Sequence, residues 1–515
     1  MYDFVDPTFN IITMCGSLAR FGAQLAHKPR YITLFILPIL FLALYKALDD
    51  FSGDVPLLSD GRTWAAVDID SITASAEQYR QSAIQPPYKH QFWEVGQRSR
   101  KLVEWLKYID QIPGRSESKR KLVSAAETTA TTLFPFIGSS PGKPNSKMPL
   151  NDLRSIYKKG SQGIVIPVGG GGQAVRFAAH LIVSLRDVLG CRLPIQIVYA
   201  GDTDLTKKQR DALASFDSTK NIEFLDVFTM FDDSTLSLQQ GHWAIKPFAA
   251  LASRFEQVIL LDSDAVFLQQ PEQLLKQRAY HDTGAYLFHD RLLWQHEFRE
   301  RHEWWKDQIK EPSPALNRSR VWTEDYAEEC DSGVVVLDKS RRQVFVGLLH
   351  IAWQNTRDVR EEVSYKLTYG DKETWWLGLE LAGSSYEFEP HYGSILGWEK
   401  EQPDDNGAES DRVCSFVIAH TDDNERLIWF NGSLVKNKLV DSESYEVPTA
   451  WMMDGSWEKG ATKQSMSCMV GAEVRRLSGE EQRILRRSIE GASKVDSTLK
   501  EIGLGMSKDG QWVES

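Results

Sequence analysis

A mostly parallel α/β sheet is predicted by three features of residues 163–271. Apolar, β-branched runs alternate with helix-length amphipathic segments. Four consecutive glycines close the first apolar run, and Asp262-Ser263-Asp264 closes a later one. In such sheets ligands sit beyond the carboxyl ends of the strands, where both features fall. The elements follow in order. GIVIPV (163–168) reads as a strand. Residues 174–190 read as a helix, with Phe177, Leu181 and Val188 recurring at helical spacing and Gly190 suited to a C-cap. LPIQIVYAG (193–201) is a second strand, 206–216 a helix, and NIEFLDV (221–227) a third strand. Residues 242–255 form a helix that delivers the chain to the strand VILLD (258–262). With helices between them, these strands are covered on both faces.

The rest of the chain frames this region. A length of 515 residues allows one large or two ordinary domains with appendages. Net charge is −11, which excludes nucleic acid as a partner but admits an anionic ligand neutralised by a metal ion. Residues 31–48, YITLFILPILFLALYKAL, are apolar except for Thr33 and Lys46. As a helix they span roughly 27 Å, enough for a thin membrane of the early secretory pathway. Arg20, Lys28 and Arg30 precede the run, and Asp49, Asp50 and Asp54 follow it. The positive-inside rule puts the N-terminus in the cytosol and the body in the lumen. A cleaved signal peptide fits less well, because Lys-Ala-Leu-Asp is a poor cleavage site.

The predicted organisation is a cytosolic tail (1–30), a transmembrane signal anchor (31–48), a stem with lead-in helices (49–160), a catalytic domain (161–440) and a helical C-terminal extension (441–515). Within the stem, Phe92 to Ile109 reads as a helix; near the end, residues 478–499 read as another, opened by a Ser478…Glu481 capping box. Four cysteines, Cys191, Cys330, Cys414 and Cys468, lie on the lumenal side and allow two disulfides in three connectivities. Asn317-Arg-Ser and Asn431-Gly-Ser are sequons available to glycosylation in the lumen.

The chemistry concentrates at the strand ends. Asp262 and Asp264, two apart on a strand, point the same way, and a divalent cation with hard oxygen ligands relieves their repulsion. Such a cation bridges the phosphates of a nucleotide and stabilises them as they leave. Gly169, Gly170 and Gly171 offer backbone N–H groups to a phosphate, or form a flexible turn. Lys246, one helix before the acidic pair, neutralises a phosphate or is a solvated surface lysine. Glycoside hydrolysis also uses paired carboxylates, but does not need the nucleotide-type sheet upstream. YGDKETWWLGLELA (369–382) sets Asp371 and Glu373 beside Trp375 and Trp376. Rings that stack on a sugar and carboxylates that accept its hydroxyls suit an acceptor site. The same residues also fit a helix start capped by Gly370-Asp371 with tryptophans in the core.

Taken together, GIVIPVGGGGQAVRFAAHLIVSLR, LPIQIVYAGDTDL, WAIKPFAALASRFEQVILLDSDAVF, ECDSGVVVLDKSR, GDKETWWLGLEL and IAHTDDNERLIWFNGSL resemble the fungal Golgi α-mannosyltransferases of glycosyltransferase family 71. They run in family order over residues 163–433. The resemblance implies a type II Golgi membrane enzyme with a GT-A nucleotide-sugar fold. It implies a retaining transfer of mannose from GDP-mannose to a mannoside, of α-1,3 type, with Mn²⁺ or another divalent cation. It further implies that His420, at the end of FVIAH, completes the metal site with Asp262 and Asp264, and that Asp331 holds the sugar or its acceptor. Membership of a Golgi glycosyltransferase complex is a further expectation. Three alternatives stay open: α-1,2 transfer, a different nucleotide-sugar donor, or an inactive Golgi protein that binds mannan through its tryptophans. Front-face displacement and double displacement through a carboxylate are both open.

Overall fold

The computed structural model describes residues 67–506, apart from Gly170 and residues 401, 404–408 and 463, together with residues 512–514. The tail and the predicted membrane segment 31–48 lie outside the described residues. Among the described residues no helix is long and apolar enough to cross a membrane.

Three helices come first: α1 (Ile69–Gln81), α2 (Phe92–Gln111) and α3 (Glu117–Leu133). Asp68 and Ser116 cap α1 and α3 through their side chains. Helix α2 buries Phe92, Leu102, Trp105 and Leu106 along one stripe. At Gly96 a side chain would come within 2.8 Å of the Leu381 carbonyl oxygen. The predicted helix from Phe92 is therefore packed onto the body.

The central sheet is built from β1 (Lys158–Pro167), α4 (Gly172–Val183), β2 (Ile195–Tyr199), α5 (Lys207–Ser215), β3 (Ile222–Asp226), α6 (Ile245–Ala252) and β4 (Phe255–Leu261). After β5 (Ala265–Phe267) come β6 (Ala285–His289), β7 (Cys330–Asp338), α7 (Arg342–Gln354), α8 (Lys372–Leu381) and β8 (Glu387–Phe388). Strand order is β3-β2-β1-β4-β7-β6-β8. Pairing is parallel from β3 through β4, and β7 runs antiparallel to both β4 and β6. The sheet is mixed and mostly parallel. Ile164, Ile166, Ile195, Ile197, Ile259 and Val336 are fully buried in it, as β-branched residues on a two-sided sheet should be.

Two predicted helices are shorter than their patterns. The segment 174–190 is α-helical only to Val183 and continues as a π-turn, from which Arg186 reaches Asp217 at 2.9 Å and the Cys191 carbonyl at 2.9 Å. The segment 242–255 opens as a 3₁₀ turn over His242–Ala244 before α6.

The largest departure lies downstream. The described residues of 441–476, expected to be part of a helical extension, form five short strands joined by loops, with no helix. The chain passes through β9 (Ile395–Glu399), β10 (Arg412–Ser415), β11 (Ile418–Thr421), β12 (Leu427–Asn431), β13 (Val435–Asn437), β14 (Asp441–Tyr445), β15 (Ala450–Met452), β16 (Ser456–Glu458), β17 (Ser467–Val470) and β18 (Arg475–Arg476) before α9 (Gly479–Glu501). A six-stranded sheet runs β16-β17-β10-β9-β15-β18. Cys414 and Cys468 face each other across β10 and β17 and form a disulfide. Closing a loop of 54 residues in this way stabilises the fold by roughly 4 kcal/mol in the chain-entropy account. Cys191 and Cys330 are buried thiols, so there is one disulfide among the described residues and not two. Of the sequons, Asn317 is exposed, whereas the Asn431 amide donates to Asp331 at 2.8 Å and is committed inside.

Helix α9, opened by the predicted Ser478–Glu481 capping box, lies along α4. Its Asp496 carboxylate accepts from Arg176 Nε and Nη2 at 2.8 and 2.6 Å, from Tyr445 Oη at 2.5 Å, and pairs with His180 Nε2 at 2.7 Å. One carboxylate thus ties together α9, α4 and the β13–β14 hairpin.

Candidate active site

β4 ends at Leu261, and residues 262–264 make a turn into β5. The acidic pair is therefore in a turn and not on a strand. Its orientation is set by backbone bonds: the Asp262 N–H donates to the Gly333 carbonyl at 2.8 Å, and the Asp264 carbonyl accepts from the Ser433 N–H at 2.8 Å. Both residues line a cavity of about 470 Å³ beyond the carboxyl ends of β1, β2 and β4. That volume is within the range of small-molecule sites, roughly 300–1,000 Å³. A larger open groove of about 1100 Å³ runs along α3 and contains none of the residues singled out in the sequence.

Gly169 lines the cavity. A side chain there would fall 2.1 Å from the Asp204 carboxylate, so the close approach requires glycine. Gly171 (φ +136°) precedes Gly172, the first residue of α4, whose N-terminal Gln173 and Ala174 also reach the cavity. Gly170 lies outside the described residues.

Lys246 is 4% exposed, which excludes the surface reading. Its ammonium is 2.8 Å from Asp262 Oδ1 and 3.4 Å from Asp371 Oδ2, and donates to the Ser332 hydroxyl and carbonyl at 3.1 Å. Burial alone would lower its pKa, but Asp262 and Asp371 outweigh that and raise it, so it is a fixed cation. Burial pushes Asp262 above the ordinary carboxylate range, with Lys246 opposing and Asp264 adding to the rise. Lys438, on the β13–β14 hairpin, pairs with Asp264. Nothing in the local sequence marked Lys438: it is 174 residues from its partner. Asp204 and Trp243 were equally unmarked and line the same cavity.

The other residues are placed differently. His420 is fully buried, with Nδ1 2.5 Å from Glu389 and Nε2 3.4 Å from Asp331, and its ring stacks on Trp429 at 4.2 Å. Burial would depress its pKa, but the two carboxylates outweigh burial and raise it to about 9. Both ring nitrogens of His420 are thus turned to Glu389 and Asp331, and no group of three or more His, Cys, Asp or Glu residues arranged for a metal occurs among the described residues. Asp331 is 1% exposed and held by the Asn431 amide, the Gly333 N–H and His420. Burial would raise its pKa, but His420 brings it well below the usual value.

Asp371 and Glu373 do not form an acceptor surface. Asp371 is 2% exposed, accepts from Trp375 Nε1 at 2.7 Å and faces Lys246. It holds the N-cap position of α8 without a side-chain cap bond. Glu373 is fully buried, accepts from Trp376 Nε1 at 2.6 Å and from the Glu329 and Cys330 N–H groups, and is pushed up to about 8 by burial. Trp375 and Trp376 are core residues. The aromatic and acidic side chains beside each other in sequence satisfy each other inside the fold, because positions three and four apart share a helix face.

His420 supplies a pH prediction. Its pKa is raised on folding from about 6.5 to about 9, so its stabilisation is complete below pH 6.5 and lost as pH rises through 9. His420→Gln should lower stability by roughly 3 kcal/mol at pH 6, and the deficit should shrink toward pH 9. Thermal unfolding of both proteins across this range measures it; a deficit independent of pH would refute the imidazolium.

A cavity beyond the carboxyl ends of parallel strands, with a glycine-led helix N-terminus and an acidic turn on its wall, defines an α/β protein of the nucleotide-binding class. Within that class the chain belongs to the mannosyltransferase family Mannosyl_trans3, whose model matches residues 161–422. The α-1,3-mannosyltransferase MNT3 of Saccharomyces cerevisiae is 28% identical over 285 residues, covering 48% of this chain and 43% of MNT3. The α-1,3-mannosyltransferase MNN1 of the same yeast is 25% identical over 353 residues, covering 59% of this chain and 44% of MNN1. The chain spans less than half the length of these two relatives. Among solved structures, the S. cerevisiae mannosyltransferase Ktr4p aligns over 62% of this chain and 83% of its own, at 10% identity and a TM-score of 0.30.

Proposed function

We propose that the chain transfers mannose from GDP-mannose to a mannoside with retention, forming an α-1,3 linkage, in a GT-A-type site. The observation that carries this reading is the single cavity shared by Gly169, the start of α4, Lys246, Lys438 and the Asp262/Asp264 turn. Family membership and the names of the relatives supply the sugar and the linkage.

Asp262 and Asp264 are the proposed ligands of a divalent cation such as Mn²⁺. Their fit is chemical: two carboxylates on the wall of one cavity give hard oxygen donors, balanced in this structure by two lysine ammonium groups. The bound ion would supply counter-charge to the leaving diphosphate. Lys246 fixes Asp262 in place. The N–H groups at the start of α4 and the Lys438 ammonium stabilise negative charge growing on the phosphate. Of the described residues on the cavity wall only Asp204, Asp262 and Asp264 are acidic, and two of these would hold the ion. A front-face displacement therefore fits better than attack by a protein carboxylate. In it the acceptor oxygen bonds to the anomeric carbon as the sugar–phosphate bond breaks, and the acceptor proton passes to a phosphate oxygen.

Purified protein incubated with GDP-mannose, Mn²⁺ and a mannobiose, with the product linkage read by NMR, tests this. An α-1,3 product that disappears with a chelator is expected. No transfer to any mannoside would overturn the reading, and an α-1,2 product would overturn the linkage. We place the body in the Golgi lumen behind a signal anchor at residues 31–48. The Cys414–Cys468 disulfide supports an oxidising compartment. Digestion of the body by protease added outside intact vesicles would exclude that topology.

A further inference from the structure

Most large aromatic side chains of the described body are buried, but Trp243 is 42% exposed and Tyr369 is 59% exposed. Their ring centroids are 5.4 Å apart, with planes tilted by 48°. Trp243 lines the cavity that holds the acidic turn and sits three residues before Lys246. We propose that Trp243 and Tyr369 form the platform on which the pyranose ring of the acceptor stacks; this deepens, and rests on, the mannosyl-transfer reading.

Three observations carry the assignment. The first is that the indole is fixed from behind. A side chain at Gly370 would meet Trp243 Cε3 at 2.8 Å, and Gly370 has φ +65°, so the backbone there is bare and pressed against the ring. The second is local strain. His242, just before Trp243, has φ +49°, a conformation that costs a non-glycine residue energy and holds the 3₁₀ turn in which the indole is presented.

The third is position across the sheet. Gly169 and Asp204 follow β1 and β2, on one side of Asp262 at the end of β4. Lys246 joins Asp262 to Asp371 on the other side, where α8 packs on β7. Tyr369 and Gly370 immediately precede Asp371, and Trp243 lies against them. A nucleotide held between the glycine loop and the acidic turn leaves this opposite side to the acceptor. A bare aromatic face there suits the apolar C–H face of a pyranose, whose hydroxyls stay in water at the rim. A nucleobase would also stack on an indole, so the test must separate the two.

The probe is methyl α-D-mannopyranoside, titrated into the purified protein with GDP and Mn²⁺ present and followed by saturation-transfer NMR. GDP affinity is measured in parallel by calorimetry. Trp243→Ala and Tyr369→Ala should each weaken mannoside binding by about tenfold, while Trp243→Phe, which keeps an aromatic face, should recover most of it. Tyr369→Ala should leave GDP affinity unchanged. Mannoside binding unaffected by either alanine, or absent from the wild type, would overturn the platform. Loss of GDP affinity with mannoside binding intact would also overturn it and assign the rings to the base. A wild type that binds mannoside through these rings but never consumes GDP-mannose would refute the transfer reading and leave the platform standing.

Discussion

Asp264→Asn is expected to reduce mannosyl transfer several hundredfold while leaving the metal-free fold intact. The substitution keeps size and shape and removes one of the two charges proposed to hold the divalent ion. Losing that counter-charge to the departing diphosphate costs about 3–4 kcal/mol of transition-state stabilisation. The fold gains and loses little. The Asp264–Lys438 pair is partly exposed and contributes about 0–1 kcal/mol, and removing it also relieves the repulsion that Asp264 exerts on Asp262. Melting of the variant without metal should therefore match wild type within a few degrees, and the upward shift that Mn²⁺ plus GDP gives the wild type should be mostly lost. Near-normal turnover together with a normal Mn²⁺-dependent shift would remove the acidic turn from the metal site.

Lys246→Met should damage both stability and activity. Lys246 neutralises two carboxylates, Asp262 and Asp371, inside the protein. Removing one partner of a buried charge pair leaves uncompensated charge, at a cost of about 3–5 kcal/mol. Asp262 also loses the contact that fixes it on the cavity wall, and a misplaced ligand costs on the order of a hundredfold in rate. The stability deficit has a sign with pH. The Asp262 carboxyl, already pushed up by burial with Lys246 opposing, rises further without the ammonium, so the deficit shrinks as pH falls and Asp262 protonates. The double variant Lys246→Met/Asp371→Asn removes one of the two orphans and should recover part of the stability but not the activity. A single variant that melts like wild type at pH 7.5 would show that the ammonium is dispensable.

What the sequence revealed depended on how local each feature is. Strands 163–168 and 258–262 and the capping box at Ser478 are written in adjacent residues, and each appears in the structure within a few positions. The cavity was legible only as strand ends and glycines. Lys438 reaches Asp264 across 174 residues, so no window of sequence contains both. The candidate residues that lie buried away from the cavity wall share one cause. His420, Asp331 and Glu373 have side chains of catalytic type, but their partners are distant: Glu389, Asn431 and the backbone at Glu329. Those contacts bury them and fix their charge states, and sequence spacing cannot report burial. The strands of residues 441–476, expected to be helical, escaped for a different reason. They are two to five residues long, too short for alternation to stand out.

The Asp496 carboxylate sets an order of events for the newborn chain. The family match ends at residue 422, yet the helix that opens at Gly172 is clamped through Arg176 and His180 by a residue made more than 300 positions later. The same clamp holds Tyr445 at the base of the hairpin that carries Lys438. The wall of this cavity thus begins at β1 and is braced only from α9. A nascent chain holds its glycine loop and acidic turn long before the Asp496 brace exists, so this wall is secured only after α9 has been made.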